Sequence, residues 1–190
     1  TSLIYNWINE FHKFAPNLKV VAVNGPKEER KSILDNIEDV DVLITTYNLL
    51  KRDIDLFCNL EFDYCILDEA QNIKNYNSQN SIASKSIKAR TRFALSGTPL
   101  ENSLMDLWSI FDFIMPGYLY DEKRFSVRYH KRLKEEPEVL EDLNRLIKPF
   151  ILRRKKSEVL KELPEKIEKV LLVNLEEEQK RVYKVYADYV

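Results

Sequence analysis

Four short apolar segments constrain this chain more than anything else in it. Leu18–Val23, Val42–Thr46, Phe62–Leu67 and Arg92–Leu95 are each separated from the next by a stretch with helical patterning. Short runs that are apolar throughout suit strands buried on both faces. Strands that recur only after a helix pair in parallel. The pattern predicts an α/β fold: a parallel sheet with helices on both faces. The intervening helices are expected over residues 2–15, 27–37, 47–57 and 77–89. In the first, Leu3, Ile4, Trp7, Ile8, Phe11 and Phe14 share one face, Ser2 can cap the start and Pro16 follows the end.

After Pro99 the pattern changes. Leu104, Leu107, Trp108, Phe111, Ile114 and Met115 share one face of a helix expected over 103–115. Ser103 with Asp106 suits a capping box, and Pro116-Gly117 stops the helix. Residues 121–163 read as two to four further helices with no strand among them. Ile167–Leu175 reads as a strand. Residues 176–190 read as a helix with Val182, Tyr183, Tyr186 and Val190 on one side. Three parts are expected: an α/β lobe over 1–102, a helical insertion over 103–165, and a strand and helix over 166–190.

Composition removes several classes. Of 190 residues, 44% are hydrophobic and 32% charged, which supplies a core and argues against disorder. Lys plus Arg total 30 against 31 Asp plus Glu, a net charge of −1, so any basic surface must be local. No apolar run approaches the roughly 18–20 residues of a membrane-spanning helix. Residues 1–15 alternate at helical spacing rather than as a signal peptide. Cys58 and Cys65 have no zinc-spaced partner and make no disulfide framework, so a reduced, cytoplasmic setting is expected. Three glycines, Gly25, Gly97 and Gly117, cannot spell either phosphate-binding glycine motif. Nucleotide chemistry would have to borrow that loop from elsewhere.

The segment Phe62-Asp63-Tyr64-Cys65-Ile66-Leu67-Asp68-Glu69-Ala70-Gln71 carries the strongest chemical signal. It is an apolar strand that delivers two adjacent carboxylates at its C-terminal end, where open α/β sheets bind ligands. An Asp there suits Mg²⁺ held through water, and the next Glu suits proton removal from an attacking water. The competing structural reading makes Asp68 a cap and leaves Glu69 solvated.

The wider context favours chemistry. Asp68-Glu69-Ala70-Gln71 resembles motif II of superfamily 2 helicases, a DEAQ box. Leu95-Ser96-Gly97-Thr98-Pro99-Leu100-Glu101-Asn102 resembles motif III of the SNF2-type ATPases. Asp106-Leu107-Trp108-Ser109-Ile110-Phe111-Asp112-Phe113 with Pro116-Gly117 is similar to that family, as is Pro149-Phe150-Ile151-Leu152-Arg153-Arg154-Lys155-Lys156-Ser157-Glu158-Val159 followed by Leu163-Pro164-Glu165-Lys166-Ile167-Glu168. Thr1-Ser2-Leu3 with Asn6-Trp7 resembles motif Ia, and Val42-Leu43-Ile44-Thr45-Thr46-Tyr47 resembles motif Ib. The matches keep family order and spacing over essentially the whole chain. Gln71 and Asn72 resemble most the bacterial and Rad54-like branch.

The resemblance implies the first RecA-like lobe of a two-lobed motor, a P-loop NTPase fold left incomplete, followed by a helical insertion. The family's P-loop would precede Thr1 and its arginine finger would lie beyond Val190. The implied activity is ATP hydrolysis with Mg²⁺, driving movement along double-stranded DNA, with DNA-bound proteins as further partners. The setting would be nucleoid or nuclear according to the host. By the same resemblance Asp68 coordinates Mg²⁺, Glu69 is the general base, and Gln71 senses the γ-phosphate and links it to motif III. Ser96, Gly97 and Thr98 pass the nucleotide state onward. Ser2, Thr45, Thr46 and Tyr47 are candidates for DNA phosphate contacts. Arg153 and Arg154, with Lys74, Lys155 and Lys156, are candidates for backbone contact or interlobe docking.

Each assignment has a plainer rival. Ser96-Gly97-Thr98-Pro99 in isolation is a turn, Thr45 and Thr46 suit a strand end, and a short basic run suits a solvated face. His12 and His130 have no metal-spaced partner. Cys65 suits packing, and Trp108, Phe111 and Phe113 suit a core or an insertion-domain contact rather than a base-stacking platform. Two alternatives remain at this stage: another superfamily 2 motor, such as an RNA helicase or a restriction translocase subunit, and a non-hydrolysing scaffold.

Overall fold

The strands pair in parallel. In the computed structural model, which describes residues 2–97, 103–132, 138–154 and 176–187, Val20–Ala22 (β1) lies beside Val42–Ile44 (β2), with Val20 opposite Val42 and Ala22 opposite Ile44. Glu61–Leu67 (β3) lies beside Lys88–Ala94 (β4), with Cys65 opposite Arg92 and Leu67 opposite Ala94. Among the described residues these form two separate two-stranded ladders. Helices alternate with them: Ser2–Phe14 (α1), Lys27–Asp35 (α2), Tyr47–Arg52 (α3), Ile54–Phe57 (α4) and Gln79–Ser86 (α5). A 3₁₀ turn, Ala70–Ile73, follows β3.

Next come Leu104–Ile114 (α6), Glu122–Phe125 (α7), a π turn at Ser126–His130 and Glu138–Ile147 (α8). The chain divides into two units, Thr1–Ile147 and Lys148–Val190. The described part of the second comprises a 3₁₀ turn at Lys148–Phe150, residues 151–154, Glu176 and the helix Glu177–Ala187 (α9). The strand expected over 167–175 lies outside the described residues.

Two apolar clusters organise the first unit. Val23, Leu34, Leu50, Phe57, Ala83 and Ile87 form one, with Leu43, Phe62 and Cys65 packed against it. Leu67, Ala70, Ile73, Ile110 and Phe113 form the other. The second cluster is the one that positions the site. It fastens α6, expected to open the insertion, onto the turn after β3 and the end of β3 itself. Arg92 of β4 adds to this join, donating to Phe113 O at 3.0 Å and Ile87 O at 2.6 Å. Trp108, Phe111 and Phe113 are all buried, as a core reading of that stripe predicts.

Several boundaries differ from the sequence pattern for visible reasons. The helix expected over 47–57 breaks at Asp53, whose carboxylate is taken by Arg30 of α2 at 2.5 and 2.8 Å. The helix expected over 77–89 ends at Ser86 because the chain from Lys88 pairs with β3. Ser103 caps α6 by accepting from Met105 N at 3.0 Å, while Asp106 N goes to Ser103 O, so the expected capping box is a simple cap. Along α1 the buried stripe is narrow: Ile4 is enclosed, while Leu3 and Phe14 are exposed. One face of β3 and β4, carrying Tyr64, Ile66 and Phe93, also stays exposed, with Tyr64 stacked on Phe93.

Candidate active site

The parallel pair β3–β4 ends in a small polar network. Past Leu67 the ladder continues for one more rung: Leu95 N donates to Leu67 O and Ala70 N donates to Leu95 O, both at 2.8 Å. These bonds hold the residues after β3 against those after β4. Between them lie Asp68 and Glu69. Glu69 adopts a left-handed backbone (φ 49°, ψ 51°), a conformation that costs a non-glycine residue about 1–3 kcal/mol and persists only where its surroundings fix it. Here they do. Glu69 N donates to Asp68 Oδ1 at 2.9 Å, and Asn72 donates to Glu69 O through both its backbone N (3.0 Å) and its side chain (2.9 Å).

The left-handed turn gives the two neighbouring carboxylates different partners. Glu69 Oε2 accepts from Gln71 Nε2 at 2.5 Å, and Gln71 Oε1 accepts from Ser96 Oγ at 2.9 Å. A continuous line of hydrogen bonds therefore runs Glu69–Gln71–Ser96, from the end of β3 to the end of β4. Glu69 is exposed while Gln71 and Ser96 are half-buried, so the line opens to solvent at the carboxylate.

Asp68 is half-buried and held from the other side. Its Oδ2 accepts from Trp7 Nε1 of α1 at 2.9 Å, and its carbonyl accepts from the Tyr47 hydroxyl at 2.8 Å. Burial, then the nearby charge of Asp68, pushes the Tyr47 hydroxyl well above the ordinary phenol range. It stays a protonated donor throughout the physiological range.

The base of the turn is also fixed. Ser109 of α6 donates to Ile73 O at 2.6 Å and lies 3.5 Å from Ser81 of α5. Sequence reasoning missed this buried contact and the Trp7 contact, because Trp7 sits on a stripe that reads as core and nothing in its spacing marks the Ser109 hydroxyl as buried.

The remaining sequence candidates are placed as follows. Thr45 Oγ1 donates to Val23 O at 3.1 Å, and Thr46 caps α3 by accepting from Leu49 N at 3.3 Å. Together with Tyr47, all three hydroxyls of this segment are engaged within the fold. Gly97 is exposed. Arg153 and Arg154 are exposed in the second unit. Thr98, Lys155, Lys156 and the side chain of Ser2 lie outside the described residues. Lys74 follows the 3₁₀ turn and is half-buried. Cys65 is partly buried and packs against both apolar clusters, and burial raises its thiol.

The described residues contain no group of three His, Cys, Asp or Glu side chains suited to hold a metal unaided. Two adjacent carboxylates suit a cation that brings its own ligands. Mg²⁺ is such a cation, held by one or two carboxylates together with waters and substrate phosphates. The donor set therefore fits a nucleotide-bound Mg²⁺.

Parallel strands with helices between them, and an acidic pair at one strand end linked by hydrogen bonds to the end of the neighbouring strand, define an α/β lobe with a candidate nucleotide site. Comparison with known proteins makes the family definite. Residues 1–189 match the SNF2-related domain, and the chain belongs to that family.

It is 43% identical over 96% of its length to an ATP-dependent helicase of Mycoplasma genitalium, and 38% identical over 96% to the TATA-binding protein-associated factor MOT1 of Saccharomyces cerevisiae. It spans 17% and 10% of those two proteins. Among solved structures, it superimposes on the Sulfolobus solfataricus SWI2/SNF2 ATPase core in complex with double-stranded DNA. The TM-score is 0.75 and the identity 38%, covering 99% of this chain and 40% of that one.

Proposed function

We propose that this chain supplies the catalytic acidic pair of an ATP-dependent motor that moves along double-stranded DNA. The observation that carries the reading is the line Glu69–Gln71–Ser96. It joins the carboxylate suited to activate water to the end of β4, so a change in charge beside Glu69 reaches the segment after β4. Asp68 would hold the Mg²⁺ that accompanies ATP, and that ion would neutralise charge on the β- and γ-phosphates. Glu69, exposed and oriented by Gln71, would accept the proton of the attacking water. Gln71 and Ser96 would register whether the γ-phosphate is present. Family membership supports ATP dependence, and the likeness to an ATPase core solved on duplex DNA supports the choice of track.

On this reading DNA is gripped through its phosphates without sequence preference. Ser2, the Thr45–Tyr47 segment, Arg153 and Arg154 are the proposed contacts. Thr45 and Tyr47 already spend their hydroxyl protons within the fold, whereas the Thr46 hydroxyl only accepts, so its proton remains a donor for a phosphate.

The test is steady-state ATP hydrolysis by the full-length protein with duplex DNA, single-stranded DNA or RNA added. Stimulation by duplex DNA of any sequence, greater than by the other two, is expected. Stimulation by RNA alone would point to a different superfamily 2 motor. The absence of hydrolysis under every condition would point to a scaffold.

A further inference from the structure

We infer that Trp7 and Tyr47 are positioning residues for Asp68, fixing its carboxylate and its backbone in the orientation that receives a nucleotide-bound divalent cation. The inference rests on the reading of Asp68 given above.

Asp68 has three fixed points. Trp7 Nε1 donates to Oδ2 at 2.9 Å, Glu69 N donates to Oδ1 at 2.9 Å, and the Tyr47 hydroxyl donates to the carbonyl at 2.8 Å. Trp7 and Tyr47 come from α1 and the start of α3, which are 61 and 21 residues away in sequence. With both carboxylate oxygens and the carbonyl held, rotation of the side chain breaks at least one bond. The indole offers one donor and no acceptor, and Trp7 is half-buried, so turning Asp68 away strands a partly desolvated N–H. Such stranded groups are costly.

The arrangement leaves acceptor positions for a cation. Each carboxylate oxygen has two acceptor positions, and the described bonds use one on each. The free positions face an orientation already set, so ordering the ligand costs little when the ion arrives. Partners that orient a metal ligand are typically worth 10–100-fold in metal affinity.

The test uses Mn²⁺ as the probe, with ATP, on the full-length protein, and reads bound metal by electron paramagnetic resonance. Trp7→Phe removes the N–H and should weaken Mn²⁺ binding in the ATP complex by about 10–100-fold. Replacing the Trp7 indole with its benzothiophene analogue keeps the ring's shape and its packing near Phe11 but removes the donor, and should give the same shift in a folded protein. Tyr47→Phe should shift it in the same direction by less, because it frees the backbone and not the carboxylate.

The Mg²⁺ dependence of ATP hydrolysis should move to higher concentration in parallel, and saturating Mg²⁺ should restore most of the rate. Wild-type Mn²⁺ affinity in the benzothiophene variant would overturn the inference. Asp68→Asn separates the two levels. If it weakens Mn²⁺ binding and the Trp7 variants do not, only the positioning role fails. If it also leaves binding unchanged, the reading of Asp68 as the metal-facing carboxylate fails with it.

Discussion

Two polar networks in the first unit use the same chemistry in opposite ways. Arg30 and Asp53 form a closed pair. Both side chains are almost fully buried, at 3% and 1% exposure. Two guanidinium nitrogens donate to the two carboxylate oxygens, and the third donates to Gly25 O at 2.5 Å. Hydrogen bonding to Arg30 holds the Asp53 carboxyl below its usual range, and the same bond raises the Arg30 guanidinium. The acidic turn after β3 is its counterpart, with bonds that fix geometry on the inner side and an exposed carboxylate on the outer. The pair closes on itself and serves the fold. The turn stays open and can act on a ligand.

The largest expected effect probes the closed network. Arg30→Met should destabilise the chain by about 3–5 kcal/mol, because it leaves a buried carboxylate without its partner. Replacing Asp53 by Leu as well should recover much of that loss. Urea unfolding at neutral pH measures both. A single-substitution cost below about 1 kcal/mol would put Arg30–Asp53 in the class of exposed pairs and remove the contrast.

The next effect lies at the join between the networks and α6. Ser109→Ala leaves Ile73 O without its 2.6 Å donor and should cost about 1–3 kcal/mol. Ser84, equally buried but with no partner for its hydroxyl among the described residues, is the control. Ser84→Ala should be neutral or stabilising, read from the same unfolding curves.

Acid should weaken the closed pair. The Asp53 carboxyl is depressed in the folded chain, so its contribution is complete above the unfolded carboxylate value of about 3.9 and is lost as pH falls through the lower folded value. Acid unfolding of the wild type should therefore steepen below about pH 4. The Arg30→Met/Asp53→Leu chain should lack that component.

The smallest effect concerns the exposed arginines. Arg153→Ala and Arg154→Ala should each reduce the salt dependence of duplex-DNA binding by about one unit of slope. The melting midpoint should not change. An unchanged slope would assign the two arginines to a solvated face.

What the sequence made legible follows from the range over which each feature acts. The strands could be read because apolar runs bounded by helical stretches are local. The carboxylates at Asp68 and Glu69 stood out because two charges end an apolar run. Arg30 and Asp53 lie 23 residues apart in two stretches that read only as helical, and nothing in the spacing pairs them. Trp7 counted as an apolar residue on a helical face, and its partner lies 61 residues on. Periodicity sees an indole ring and not its N–H. Spacing alone did not join Gln71 to Ser96. The resemblance did so, through a family motif and not through physics local to either residue. The exposed face of Tyr64, Ile66 and Phe93 was not foreseen either, since an unbroken apolar run predicts burial on both sides of a strand.

The measurement that bears most directly on the contrast is Glu69→Gln in the full-length protein, scored for DNA-stimulated ATP turnover and thermal midpoint in the same preparation. The substitution keeps the size of the side chain and its capacity to bond with Gln71, and removes the carboxylate proposed as the base. Turnover should fall by about 10²–10⁴-fold with the midpoint unchanged. Wild-type turnover, or a loss of turnover that merely follows a lowered midpoint, would contradict the account and make the acidic turn a second structural network like Arg30–Asp53.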